Sequence, residues 1–192
     1  MPFAILPAIP TGGLSSSVQP SLLSHDGELS LRPWNEDDVS VLLSAFRDPA
    51  IRRWHVRHVC SAEEALEWID AFDQFWCQEQ AAQWVITRAA DGEALGRISL
   101  RGIDLLHGVA ECTYWVLPNA RGGGVAPRAL TTLVDWAMDT VGFHRLELVH
   151  SVENSASCRV AGKAGFVLEG TRRGAHRYAD GWHDMHLHAC VR

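Results

Sequence analysis

Apolar positions along the chain recur at a period near two or near 3.6, and the switches between them mark the elements. Leu29 and Leu31 alternate in "ELSLRPW" and predict a first strand. Asn35 then caps a helix carrying Val39, Leu42, Leu43 and Phe46, which Pro49 should stop. "SAEE", Ser61 to Glu64, reads as a capping box in which Glu64 reaches back to the Ser61 amide. The helix it opens carries Ala65, Leu66, Ile69, Phe72, Phe75 and Trp76 at helical spacing. Three strands follow, "AAQWVIT", "ALGRISLRGI" and "VAECTYWVL", joined by turns at Asp91-Gly92 and His107-Gly108. Such short connections make them an antiparallel meander. A third major helix shows Ala126, Leu130, Leu133, Val134, Ala137, Met138 and Val141 on one face, and Gly142 ends it. "RLELVHSV" is a strand, "SASCRVAGKA" a short helix closed by Gly165, and "FVLEGTRR" and "WHDMHLHACV" are the last strands. This is a mixed α+β domain over residues 28–192, with about seven mostly antiparallel strands and about four helices. Residues 1–27 have no period and many Pro, Gly and Ser; they read as an irregular N-terminal extension packed through Phe3, Ile5 and Leu6.

Composition narrows the class. The 192 residues suit one domain with a substantial core. A net charge of -6 makes a poor general nucleic-acid binder, because phosphate contacts need basic surface. The five cysteines are widely spaced and form no C-x-x-C pair, which implies reduced thiols and a cytoplasmic location. No apolar run approaches the roughly 18–20 residues of a membrane helix. The apolar start lacks a charged leader and is cut by prolines, so it is a weak signal peptide candidate.

The stretch "NARGGGVAPRAL", Asn119 to Leu130, puts three glycines between a strand and a helix. That layout suits an anion: the first helical N–H groups lack internal partners, and glycine lets backbone approach a phosphate. No P-loop lysine follows Gly124, and Pro127 stands where a dinucleotide fingerprint needs its third glycine. Just after the next strand comes "ENSASCRVAGKAGF", Glu153 to Phe166. Arg121-Gly122-Gly123-Gly124-Val125-Ala126 fits [QR]-x-x-G-x-[GA], and Asn154, Ser157, Gly165 and Phe166 fit N-x-x-[AS] followed by G-F. In this order and spacing the two segments resemble the GNAT superfamily of acyl-CoA-dependent N-acyltransferases. "LRPWNEDDV", "AECTYWVLP" and "GKAGFVLEG" look most like its RimJ/RimL branch.

The resemblance implies acetyl-CoA as co-substrate, its pyrophosphate on the amides of residues 122 to 126. It implies that the fourth and fifth predicted strands splay, so that the pantetheine arm pairs with backbone near Trp115, Val116 and Leu117. The acceptor would be a primary amine, either a protein N-terminus or a small molecule. Dimers are common in this branch, often joined through the last strands, so a homodimer is one possible assembly. The rival reading is a non-catalytic acyl-CoA sensor or interaction domain.

Amine acylation wants a general base, a stabilised oxyanion and a proton for the leaving thiolate. Glu111 is the candidate base; a structural salt bridge or an edge-facing carboxylate is the other reading. Many relatives carry a tyrosine seven residues after the motif asparagine, where this chain has Ala161. RimL-like members use a serine at the position of Ser157, so Ser157 is the candidate acid, or else a first-turn residue bonding backbone. Asn154 would bond pantetheine, cap the helix, or both. A backbone N–H near Leu117 would hold the oxyanion. Arg128 would reach the phosphates or stay solvated.

Asp184, His186, His188 and Cys190 alternate onto one face, yet no matching ligand cluster is visible elsewhere, so no metal is expected. His183 or His186 would instead border the acceptor pocket. Cys158 is a bystander. Trp68, Trp76, Trp84 and Trp136 read as core. Trp34, Trp54 and "RRWHVRH", Arg52 to His58, fall near the expected acceptor loops.

Overall fold

The computed structural model describes residues 5–192. Eight strands form one sheet: β1 (Leu22–Leu23), β2 (Leu29–Pro33), β3 (Ala81–Arg88), β4 (Ala94–Asp104), β5 (Val109–Val116), β6 (Arg145–Ser151), β7 (Val167–Tyr178) and β8 (Gly181–Val191), in the order β1-β2-β3-β4-β5-β6-β8-β7. Every pairing is antiparallel except β5 with β6. Five α-helices cover it: α1 (Val39–Ala45), α2 (Pro49–Arg53), α3 (Ala62–Cys77), α4 (Val125–Asp135) and α5 (Ser155–Lys163). No described helix is long and apolar enough to cross a membrane.

Strand alternation divides the core between the two faces. Trp84, Ile86, Ile98, Leu100, Cys112 and Leu146 pack with Leu130 and Leu133 of α4. Val85, Trp115 and Leu117 point the other way, onto Leu42, Phe46, Ile69 and Phe72 from α1 and α3. The α4 helix widens into a π-helical segment, Trp136–Val141, and Gly142 ends it at φ +97°.

Three local expectations change. Pro49 does not merely stop a helix. It occupies the first turn of α2, where its missing N–H costs nothing, and the Asp48 side chain caps that helix at the Ile51 amide (2.9 Å). Ser61 does cap α3, but Glu64 reaches the Cys60 amide (2.7 Å) rather than that of Ser61. In the extension, Ile5 and Leu6 are exposed, and Phe3 lies outside the described residues. Ile9 and Leu14 are the buried anchors. Glu79 holds them from the far side: its carboxylate accepts from the amides of Gly12, Leu14 and Ser15 at 2.8, 2.8 and 3.2 Å.

The parallel pair β5–β6 opens early. Its register runs only through Val109↔Arg145, Ala110↔Leu146 and Glu111↔Glu147. Beyond Glu111 the two strands part, and the rest of β5 keeps only its β4 partner.

Candidate active site

Leu117 donates its amide to Leu95 O (2.8 Å), and the antiparallel alternation puts the N–H and C=O of Trp115 and Thr113 on the same β4 side. The groups that face the opening therefore belong to Tyr114 and Val116. This corrects three expectations. The Trp115 backbone is turned to β4 and is not open to a pantetheine arm, although the residue lines the first cleft below. The Leu117 amide is already used and cannot hold an oxyanion, and Leu117 lines neither cleft described below. Val116 N–H is the donor in the right direction.

From the end of β5 the chain makes a single 3-10 turn, Pro118–Ala120, and enters the glycine loop. Gly124 sits at the N-cap of α4 at φ +73°, the left-handed region that favours glycine, and no side chain caps this helix. A cleft of about 530 Å³ runs along the loop. Trp115, Val116, Arg121, Gly122, Gly124, Val125 and Ala126 line one side, and Asn154, Ser157, Arg159 and Lys163 of the α5 region line the other. Gly123 and Arg128 face a separate surface hollow.

Neither motif arginine is free. Arg121 pairs with Asp48 (2.7 Å) and donates from Nε to Val116 O (3.1 Å). That pairing holds the Asp48 carboxyl below its ordinary range, against the upward push of burial. Arg128 pairs with Asp26 (2.9 Å) and Glu28 and donates to the carbonyls of Gly123 and Gly124.

Asn154 caps α5, its side chain accepting from the Ser157 amide (3.1 Å). Ser157 is buried, and its Oγ lies 3.0 Å from the hydroxyl of Tyr114. Burial pushes the Tyr114 phenol up to about 12, only partly countered by that hydrogen bond. Tyr114 was missed in the sequence. The available signal was its parity: it alternates away from Glu111, Thr113 and Trp115, onto the face that α5 covers. Ala161, where relatives carry a tyrosine, is fully buried.

A second cleft, about 710 Å³, opens on the other side of Ser157. The two share Trp54, His55, Tyr114, Asn154 and Ser157. Its walls are basic, with Arg57, Arg97, Arg101, His176 and Arg177. Arg97 donates to Gln83 Oε1 and lies over the Phe72 ring at 5.5 Å, and among the described residues no carboxylate pairs with it. Burial lowers its pKa to about 10. Glu111 is bound by Arg101 at 2.6 Å, across the β4–β5 register. It lies where β5 and β6 still pair, about 10 Å along the strand from Tyr114, and lines neither cleft.

Trp54, His55, Val56 and Arg57 of the basic loop reach the second cleft, as does Trp68. Trp34 does not; it is buried against Phe72 and Trp115. His183 is buried behind the wall, bonded to Ser151 Oγ (2.8 Å) and Asp180 (2.9 Å). The expectation that the β8 histidines have no further ligand cluster nearby fails. His150 of β6 and Cys158 of α5 meet His186 and His188, with ligand atoms within 4.8 Å of one another. Cys190 is not in this group; its sulfur contacts Met138.

Residues 28–167 match the acetyltransferase (GNAT) domain model, and the chain belongs to that family of acyl-CoA-dependent acyltransferases. It is 25% identical over 166 residues to the uncharacterized N-acetyltransferase YoaA of Bacillus subtilis, covering 85% of this chain and 93% of that one. It is also 25% identical over 142 residues to the spermidine N(1)-acetyltransferase of Escherichia coli, covering 74% of each. The fold matches RimL, a ribosomal L7/L12 alpha-N-protein acetyltransferase solved with coenzyme A, with a TM-score of 0.80 at 22% identity over 90% of this chain and 98% of that one.

Proposed function

We propose that the protein transfers an acetyl group from acetyl-CoA to a primary amine whose molecule also carries an anionic group. The observation that carries this reading is the meeting of two clefts, one along a glycine-capped helix start and one basic, at Tyr114 and Ser157. The amides from Gly122 to Ala126 take the pyrophosphate at the positive end of α4. Arg159 and Lys163 supply the charge that Arg121 and Arg128 spend on carboxylates. Those two arginines instead fix the loop. The pantetheine amides pair with the free backbone groups of Tyr114, in the manner of an added strand, while the Val116 carbonyl keeps its bond from Arg121 Nε.

The amine attacks the thioester carbonyl, and the oxyanion accepts from Val116 N–H. The tetrahedral intermediate collapses with cleavage of the C–S bond. Ser157 Oγ protonates the sulfur as it takes the proton of Tyr114, whose high pKa keeps it protonated beforehand, and the proton released by the attacking amine returns through water to the phenolate. Glu111 acts as base only through water, given its distance along the strand. The unpaired Arg97 supports an acceptor with a carboxylate or phosphate near its amine, and the basic wall argues against a polyamine. An acidic peptide N-terminus and an anionic small amine both fit. The exposed Val167 and Leu168 on the edge strand β7 support a homodimer, which light scattering would check.

Calorimetric titration with acetyl-CoA tests the donor. Gly124→Glu should abolish binding, with its thermal melt beside that of the wild type showing that the variant still folds. No binding by the folded wild type would sink the reading. Release of CoA thiol with an amine panel tests the acceptor. Anionic amines should turn over, and Arg97→Gln should raise their KM at least about tenfold while leaving acetyl-CoA affinity unchanged. Binding without turnover of any amine would leave the sensor reading.

A further inference from the structure

The group of His150, Cys158, His186 and His188 lies beneath α5, with Cys158 and His186 half-buried and His150 at the floor of the second cleft. His150 and His186 face each other across the β6–β8 register, with His188 two pairs along on the same face, and Cys158 comes down from α5. His150 and His188 are 4% and 3% exposed. The four ligand atoms lie within 4.8 Å of one another.

Hydrogen bonding alone does not account for this arrangement. His150 Nδ1–H donates to Ser151 O at 2.7 Å, which leaves the lone pair on Nε2. That Nε2 is 3.1 Å from Nε2 of His188. With Nε2 turned to His150, the Phe166 carbonyl near the His188 ring favours the proton on Nδ1, although no hydrogen bond of ordinary geometry forms there, so the His188 lone pair also falls on Nε2 and faces that of His150. His186 Nδ1 is buried and unpartnered as well. Buried imidazole nitrogens in native proteins ordinarily find a donor, an acceptor or an ion. Two features suit an ion. The His150 bond to a backbone carbonyl is the outer-shell contact that fixes a metal-binding tautomer. The 3.1 Å between the Nε2 atoms is close to the roughly 3.3 Å that separates two nitrogens on a tetrahedral ion with bonds of about 2.0–2.1 Å.

We propose that His150, Cys158, His186 and His188 form a closed tetrahedral site for a divalent transition metal of the Zn²⁺ class. Three imidazoles and one thiolate fill all four positions, so the ion has no open coordination for a substrate and is structural. It staples α5 to β6 and β8 beside the opening between β5 and β6. Through α5 it also positions Ser157, one residue from Cys158; that consequence alone rests on the proposed function.

The test is Co²⁺ titration of the full-length protein after chelation and dialysis. Expected are intense tetrahedral ligand-field bands and a thiolate-to-cobalt charge-transfer band, saturating at one ion per chain and displaced by Zn²⁺. Cys158→Ser, close in size, should lose the charge-transfer band, and His186→Ala should weaken binding at least about tenfold. Zn²⁺ should raise the melting temperature of the wild type and not of Cys158→Ser. Asp180→Asn should leave the spectrum unchanged, because it belongs to the separate Glu153–Asp180–His183 group and otherwise meets Arg53. A weak six-coordinate spectrum, or bands that survive in both Cys158→Ser and His186→Ala, would overturn the site. These readouts do not depend on acetyl transfer.

Discussion

The hydroxyls of Tyr114 and Ser157 come from different layers, one from the sheet and one from the first turn of α5, and meet at 3.0 Å. Their roles separate by substitution. Ser157→Ala removes the group nearest the leaving sulfur, and we expect kcat to fall by about 10²-fold or more, with the Kd for acetyl-CoA little changed. Tyr114→Phe removes only the relay, so its kcat should fall less, by about tenfold. Steady-state kinetics beside calorimetry measures both; equal activity in Ser157→Ala would assign the proton to water. His55, at the junction of the clefts, makes a pH prediction. Burial depresses its pKa, outweighing the Ile51 carbonyl that its Nδ1 touches, and Arg97, Arg101 and His58 add positive charge. The folded state therefore takes up this proton later than the unfolded state does. Its contribution to stability is full above about pH 6.5 and is lost as pH falls through the lower folded value. Denaturant midpoints between pH 7 and pH 5 should decline less steeply in His55→Gln than in wild type.

At the scale of elements, the opening between β5 and β6 depends on where β5 sits, and Gly96 helps set that. A Cβ at Gly96 would collide with Trp115 O and approach Val116 Cα at 3.1 Å, so β4 needs glycine where β5 crosses it. Gly96→Ala should push β5 toward the cleft, costing about 1–3 kcal/mol of stability and weakening acetyl-CoA about tenfold. Retained affinity would show that β5 yields elsewhere. Elements with a clean period were legible in the sequence: the meander, the α4 face and the α5 turn around Asn154 and Ser157 are seen as expected. What escaped was relation between elements. Pro49 read as a stop because its partner Asp48 matters only once a second helix begins there. The Leu117 amide was misassigned because alternation tells which faces residues share, and only the register against Leu95 tells which amides are taken. The histidine–cysteine group escaped because its ligands come from β6, α5 and β8, and no linear spacing joins them.

At the scale of the whole molecule, the segment before residue 28 belongs to the core although the matched family region begins after it. Without a period it offered no sequence signal, and its true anchors are side chains fixed by distant partners. Ile9 and Leu14 are buried at 1% and 2% exposure. Trp76 Nε1 donates to Ser17 O (2.9 Å) and Trp84 Nε1 to Pro20 O (2.8 Å), so two core indoles rely on extension carbonyls. Glu79 closes the arrangement. Burial alone would raise its carboxyl, but three backbone N–H donors more than offset that and hold it below the usual range. The stability it contributes is thus present above the unfolded pKa of a glutamate and is lost as pH falls through the lower folded value. Glu79→Ala strands three amides and should cost about 2–4 kcal/mol, a melting shift of roughly 5–15 °C. A chain that starts at residue 21 loses the same bonds, both indole acceptors and two core side chains. It should melt lower still, with tryptophan emission shifted to the red. If that truncated chain instead matched wild type in melting and emission, the extension would be an ornament on a self-sufficient domain, and the burial of Ile9 and Leu14 would contribute nothing to stability.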